Sequence, residues 1–504
     1  MGYPALLWLS TAASLLGSVQ FGYHLGVLNT CEAHVEVDIG SGEAGASLVS
    51  SLLIGAALGS LVAGRLADRL GPRVATILNN VPLLLGALGC MAATSLLGML
   101  SGRFLAGLGA GAASVLVPRY VSEIAPIPIR GALGTLNQVC INVGIVAAYS
   151  IGAPYEDGMD TVGLLGHPVA WWRIMFATAL GPALLQCAAM ALCPESPAWL
   201  AREGRPSDAV RALRRLHGTA FRIQDYPKLQ QAYIVLDGEE ADGQGTPSAT
   251  SPTGDALQQP LLDSEQGPSG VPDDSGNGSG SGQPEGAHLG WSALWEPKYR
   301  RVMILAAALP LAQQASGINT VIFYSSQVFE QAGLKSPILG SIAMGLANLG
   351  FTIVAAVLMD RAGRRALLLT SFGGMAACLA ALSAFMLLPT PEALEGPFSL
   401  AAILAYIIFF ALGAGPIPWL YMPEVLPVEI LGVAQAFCTC LNWTSNLLVS
   451  ATFPMLLAAL GIAGSYCVYA VLNALAALFL AKRMVETKQQ PVERIRALLM
   501  GEGN

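Results

Sequence analysis

"GRLADRLGPR" occupies residues 64–73 and "LMDRAGRR" residues 358–365, and each is a short charged interruption between two long apolar runs. The likeness extends along the chain. "YVSEIAPIPIRG" at 120–131 is answered by "YMPEVLPVEILG" at 421–432, and "PESPAWL" at 194–200 by "VETKQQP" at 485–491. The matching acids, Asp68 with Asp360, Glu123 with Glu424 and Glu195 with Glu486, stand 292, 301 and 291 residues apart. Three marks in one order at a nearly constant offset indicate a duplicated chain.

What the marks separate is apolar. The 504 residues are 54% hydrophobic and 12% charged, with a mean hydropathy of +0.56, whereas an ordinary soluble domain carries about twice that share of charge. Crossing a hydrocarbon core of about 30 Å takes about 20 apolar residues. Twelve such stretches are found, at 5–29, 46–63, 74–95, 97–118, 132–153, 174–193, 302–329, 337–359, 366–389, 398–421, 431–455 and 463–482, and apart from Lys482 at the very end of the last, Arg103 is the one charge inside them. The expected fold is an all-α membrane protein with twelve transmembrane helices in two six-helix pseudo-symmetric halves. The expected organisation is a first half at 1–195, a linker at 196–301, a second half at 302–484 and a tail at 485–504.

Lys and Arg gather in cytosolic loops. Of the 26 bases, all but Arg103, Arg173 and Lys335 fall in 65–73, 119–130, 202–228, 298–301, 361–365 and 482–496, which places both termini in the cytosol. The opposite loops carry acids such as Glu32, Glu36, Asp38, Glu156, Asp157 and Asp160. Residues 237–286 hold ten acids and no base among Gly, Ser and Pro, a composition that cannot bury enough apolar surface to fold. The net charge of −7 therefore belongs to the linker rather than to the membrane body. "DAVRALRRLHG", within 198–230, reads as short helix that braces the inner ends of the bundle. Of the nine cysteines, Cys31 alone falls outside the apolar runs, so they read as small packing residues without a disulfide framework.

Two parallel halves imply a central cavity at their interface and alternating access as one half rocks against the other. At the inner helix ends Asp68, Arg69, Asp360, Arg361, Arg364 and Arg365 can pair with Glu123, Arg130, Glu195, Glu424 and Glu486. Such pairs would hold an inner gate shut in one state and break in the other. The plainer alternative, that these charges only solvate loop ends and fix topology, is weakened by their recurrence in both halves. Adding "FGYHLGVLN", "GRFLAGLGAG", "QQASGINTVIFYS", "GAGPIPW" and "LNWTSN" to the marks above, the chain resembles the sugar porter family of the major facilitator superfamily, which includes hexose facilitators and proton–sugar symporters.

The resemblance implies that the seventh span lines a monosaccharide site, with Gln313, Gln314 and Asn319 facing a hexose such as glucose. The chemistry suits a sugar, whose hydroxyls donate and accept, because a carboxamide does both from one neutral group. Gly317 weakens the helix between them, and Phe323 with Tyr324 would form an aromatic lid. By the same resemblance Gln138, Asn348, Trp419, Asn442 and Asn446 line the cavity, with Trp443 beneath; the indole of Trp419 offers an apolar face to sugar C–H groups. Pro416 and Pro418 allow the tenth span to bend. The alternative is that the amides only bind helices to one another.

Departures matter for specificity and coupling. Ala411 stands where hexose facilitators usually carry glutamate, "QAS" replaces "QLS", Leu431 and Ala198 replace arginines of the marks, and Arg119 is an added base. His24 stands where symporters of the family have aspartate and facilitators asparagine, with Arg103 as the matching arginine. Desolvation and a nearby cation both disfavour an imidazolium, so a neutral His24 and facilitated diffusion are preferred to proton coupling through it. A sugar sensor that does not transport is the rival of another class. Nothing indicates an enzyme, a cofactor, a metal site or a nucleic-acid partner: the five histidines are scattered, and "GLGAGAA" at 107–113 lies in a span, where small residues let helices approach. The resemblance makes the plasma membrane the default address, with vacuolar and plastid membranes as alternatives.

Overall fold

The computed structural model describes residues 3–40, 42, 44–164, 167–218, 221–223, 233, 291–331, 334–388, 392–427 and 430–488. The acidic stretch 237–286, most of the tail and the side chain of Asp360 lie outside them.

Without water in a bilayer core, every backbone N–H and C=O must be bonded within the chain, and a helix does this locally. Among the described residues eleven helices are long and apolar enough to cross a membrane. The last, Leu431–Arg483, has 53 residues, about 80 Å of helix against a core of about 30 Å. Gly461, at φ 66° and ψ −176°, breaks it into the eleventh and twelfth spans. The others are Ala5–Ile39, Gly45–Leu70, Pro72–Ala92, Leu96–Ile124, Arg130–Gly152, Trp171–Thr178 with Leu180–Leu192, Arg300–Ala315 with Ile318–Gln331, Pro337–Ala362, Arg364–Met386 and Glu392–Phe409. The tenth span continues through Phe410–Ala414 and Ile417–Val425. Twelve spans in two sets of six are thus present, and the sets meet along spans 1 and 7, 2 and 11, and 5 and 8.

One expectation needs correcting. The first helix runs ten residues beyond its apolar stretch, so Cys31 and Glu32 are buried helical residues instead of loop residues. The extension is held by Trp172, whose indole donates to the Asp38 carboxylate at 2.7 Å. The all-α class holds, with one small addition between the fifth and sixth spans, where Thr161–Leu164 pairs antiparallel with His167–Ala170, Thr161 lying opposite Ala170. The small residues of 107–113 do permit close approach, since a Cβ on Gly107 or Gly111 would fall 2.1 or 2.0 Å from the carbonyl oxygens of Leu52 or Ala56 in the second span.

The repeated marks build the same joint twice. Gly71 and Gly363 both adopt φ 88°, with ψ 148° and 157°, and turn the chain from span 2 into 3 and from span 8 into 9. Only glycine fits there, because a Cβ would meet the carboxylate of Glu195 or Glu486 at 2.6 or 2.7 Å. Those carboxylates cap the next helix: Arg73 N–H donates to Glu195 at 2.9 Å, and Arg364 and Arg365 N–H donate to Glu486 at 2.9 and 3.0 Å. Burial pushes the Glu195 carboxyl above the usual carboxylate range, against the pull of these N–H donors. Tyr120 and Tyr421 reach the carbonyls of Pro194 and Val485, while Ser196 donates to Glu123 and Thr487 to Glu424. Arg73 holds the carbonyls of Met190 and Ala191, and Arg365 that of Ala481.

The gate charges therefore join spans of one half in this structure. Arg119 bridges Asp68 at 2.7 Å and Glu123 at 3.1 Å, Arg202 adds a contact to Glu123 at 3.3 Å, and Arg364 meets Glu424 at 3.3 Å. Arg130 donates to the Ala125 carbonyl, Arg361 offers its carbonyl to Lys488, and Arg69 is exposed. Glu486→Ala removes two helix-capping bonds and should lower stability by about 1–2 kcal/mol, seen as a lower melting temperature in detergent, with Glu195→Ala behaving alike. Unchanged melting in both variants would mean that the carboxylates hold nothing together.

Candidate functional site

The seventh span breaks at Gly317, whose φ of +88° suits glycine and whose missing Cβ leaves room for the Tyr469 ring. The break exposes the carbonyl of Ser316, and two buried donors meet it: Tyr406 Oη at 3.0 Å and Asn473 Nδ2 at 3.1 Å. In the tenth span Phe410–Ala414 winds as a wide π turn, closed by Gly415 N–H on the Phe410 carbonyl. Such turns leave carbonyls pointing out of the helical ladder.

Carboxamides fill these irregularities in a directed chain. Asn319 donates to Gln314, Gln314 donates to Asn442 at 3.2 Å, Asn442 donates to Gln313 at 3.0 Å, and Gln313 donates to the carbonyls of Ala414 and Gly415 at 2.6 and 3.0 Å. After Asn319 each amide accepts from one neighbour and donates onward, so spans 7, 10 and 11 share one polarised network. All four side chains are buried.

A second network crosses between the halves. Gln138 donates to Asn142 at 3.4 Å; Asn348 donates to the same oxygen at 3.3 Å; and Asn142 donates to the Thr352 hydroxyl at 2.8 Å. The Asn348 side-chain oxygen has no partner among the described residues. Other crossing bonds run from Asn29 to Ser325 at 3.1 Å, from the Ser326 N–H to Asn29, from Tyr149 to the Ile322 carbonyl, and from Trp443 to Ser114. Those of Asn29, Ser326 and Tyr149 lie toward the face opposite the chain ends, and that of Trp443 lies near mid-membrane. Near the face that holds the ends, no hydrogen bond or ion pair among the described residues joins the halves.

Of the expected site residues, Gln313, Gln314, Asn319 and Asn442 come together in the first network, and Gln138 and Asn348 in the second. Asn446 accepts from Ser450, one turn further along its own helix. Trp419 is half-buried and enters neither network. Tyr324 packs against Phe453 at 5.5 Å between ring centres and reaches the Ser450 carbonyl, while Phe323 is buried beside it. Asn142, Thr352, Asn29 and Ser325 were missed. Asn142 had a signal, standing one helical turn past Gln138 on the same face.

His24 is buried, and neither ring nitrogen has a hydrogen-bond partner among the described residues. Arg103 does not reach the imidazole. Its guanidinium donates to the main-chain carbonyl of His24 at 3.0 Å and to that of Leu48 at 3.4 Å. A charged imidazolium would thus lose its hydration with no acceptor to replace it.

The family model of sugar (and other) transporters matches residues 9–242 and 275–499. The chain is 37% identical over 487 residues to plastidic glucose transporter 4 of Arabidopsis thaliana, covering 96% of this chain and 79% of that protein. It is 31% identical to the facilitated glucose transporter member 3 of solute carrier family 2 from Rattus norvegicus, covering 99% and 94%. Among solved structures, the proton:xylose symporter XylE bound to 6-bromo-6-deoxy-D-glucose superposes with a TM-score of 0.75 at 26% identity, over 98% of this chain and 99% of that one.

Asn442→Leu keeps the branched outline but strips Gln313 and Gln314 of partners, each loss worth about 1–3 kcal/mol. Binding of a labelled hexose, the substrate class implied by the resemblance, should weaken by about tenfold or more. Equal binding by variant and parent would remove the first network from the site.

Proposed function

This chain belongs to the sugar transporter family, and from that premise we propose that it carries a hexose such as glucose down its gradient, opening to each side of the membrane in turn. The supporting observation is the placement of bonds between the halves. Buried amides of both halves stand along their boundary at mid-membrane, and among the described residues the crossing bonds continue toward the face opposite the chain ends. A boundary whose described bonds latch one face fits a carrier caught in one of two states.

Neutral amides suit a neutral substrate. A sugar hydroxyl can exchange with one amide bond at little net change, because both partners donate and accept. The half-buried Trp419 supplies an apolar face for the sugar ring. Uncoupled transport is favoured by His24, which among the described residues has neither a carboxylate nor a hydrogen-bond partner at its ring and whose neighbour Arg103 donates to main-chain carbonyls.

The names of the plastidic relatives support a plastid membrane in place of the plasma membrane that the resemblance made the default. The basic loops on the face of the chain ends support a cytosolic location for both termini.

Proteoliposomes test this directly. Labelled glucose should enter by counterflow, unaffected by a protonophore, and a pH gradient alone should drive no accumulation, in the parent and in His24→Asn alike. Accumulation that disappears in His24→Asn would replace facilitation by proton coupling. Binding without counterflow would point to a sensor.

A further inference from the structure

Asn142 has no place in the sugar-facing set that the resemblance implies, yet it is more fully committed than any residue of that set. It is buried to 1% exposure in the fifth span, and both ends of its carboxamide are engaged. The oxygen accepts from Gln138 at 3.4 Å and from Asn348 at 3.3 Å; the nitrogen donates to Thr352 at 2.8 Å and to the Asn348 carbonyl at 3.5 Å. Only the bond to Gln138 stays within its own half. The other three reach the eighth span, in the opposite half.

What Asn142 holds are the two amide groups, Gln138 and Asn348, that the transport reading assigns to the sugar. An amide oxygen that accepts from both occupies the position a sugar hydroxyl oxygen would take. Three of the four bonds are 3.3 Å or longer, at or beyond the end of the range for well-formed N–H···O bonds, so they exchange readily for better-placed ones. The bond to Thr352 is short and anchors the pair.

Resting on the transport reading, we infer that Asn142 is an internal stand-in for the sugar. It ties the fifth span to the eighth while the site is empty, and gives up Gln138 and Asn348 when a hexose arrives. The residue is thus a positioning residue that governs reorientation of the empty carrier. With sugar bound, the crossing bonds are replaced by bonds to a ligand that moves with the change of state. Without sugar they must break uncompensated, so the empty carrier turns over slowly and the loaded one quickly.

The experiment is a comparison of labelled-glucose exchange at equal concentrations with net uptake into sugar-free proteoliposomes. The parent should exchange faster than it takes up sugar. In Asn142→Val the ratio of the two rates should fall by about threefold or more, the size of one or more net hydrogen bonds, with exchange retained. Thr352→Val should lower the ratio less, and Thr352→Ser, which keeps the hydroxyl, should preserve it; these two also serve if Asn142→Val fails to fold. A parent ratio near one, or variants that slow both rates in proportion, would overturn the inference while leaving transport intact. Absence of counterflow in the parent would instead overturn the transport reading beneath it.

Discussion

A polar group inside a bilayer has no water to return to, so each irregularity in a spanning helix must arrive with its own partners. The break at Gly317 and the wide turn at Phe410–Ala414 obey this rule together. One frees the Ser316 carbonyl, which Tyr406 and Asn473 take; the other presents the carbonyls of Ala414 and Gly415, which Gln313 takes. The amides of the seventh span therefore have a structural task beside the sugar contact proposed for them. They are the groups that let two helices be irregular deep in the membrane, and the proposed hinge and the proposed binding site would arise from one solution.

The duplicated marks solve a different problem. Within each half, carboxylate caps, arginine contacts to helix-end carbonyls and tyrosine bonds lock spans 2, 3, 4 and 6, or 8, 9, 10 and 12, at the face of the chain ends. Among the described residues the bonds between the halves are uncharged, and several are long. Charge-assisted bonds are roughly twice as strong as neutral ones, so the molecule is stiff within a half and yielding between halves. That contrast directs any displacement to the boundary. The halves are not equally braced: Arg119 and Arg202 concentrate charge on Glu123 and Asp68, whereas Arg364 alone among the described residues pairs with Glu424.

Much of this was legible in the sequence because it is written in contrasts. Apolar length marks the spans, the recurrence of DR, E and PES-like marks exposes the duplication, and carboxamides stand out against Leu and Ala. Gly317 announced the break. What could not be read is partnership across the bundle. Asn142 and Thr352 are 210 residues apart, and no local pattern says that they meet. Ser325 and Ser341 are ordinary residues until Asn29 is placed beside them. The repeated acids show the same limit. Their spacing reveals that they recur, but not that Glu195 and Glu486 spend their oxygens on backbone N–H groups of the following helix. Helix ends were misjudged where packing outside the membrane, such as Trp172 on Asp38, extends a helix past its apolar stretch.

Neutrality is the last constraint, and it decides what the site can carry. A carboxylate at position 411 or 24 would need a fixed cation or a proton to be tolerated at this depth. With Ala411 and His24 there, the networks consist of carboxamides, hydroxyls and main-chain groups, and none of their bonds changes strength with protonation near neutral pH. Moving the boundary then relocates no titrating charge within those networks, and the free energy of reorientation depends on how many neutral bonds are exchanged for others. A polyhydroxylated neutral ligand is the kind of molecule that can make that exchange even, because it brings a donor and an acceptor for each one it displaces.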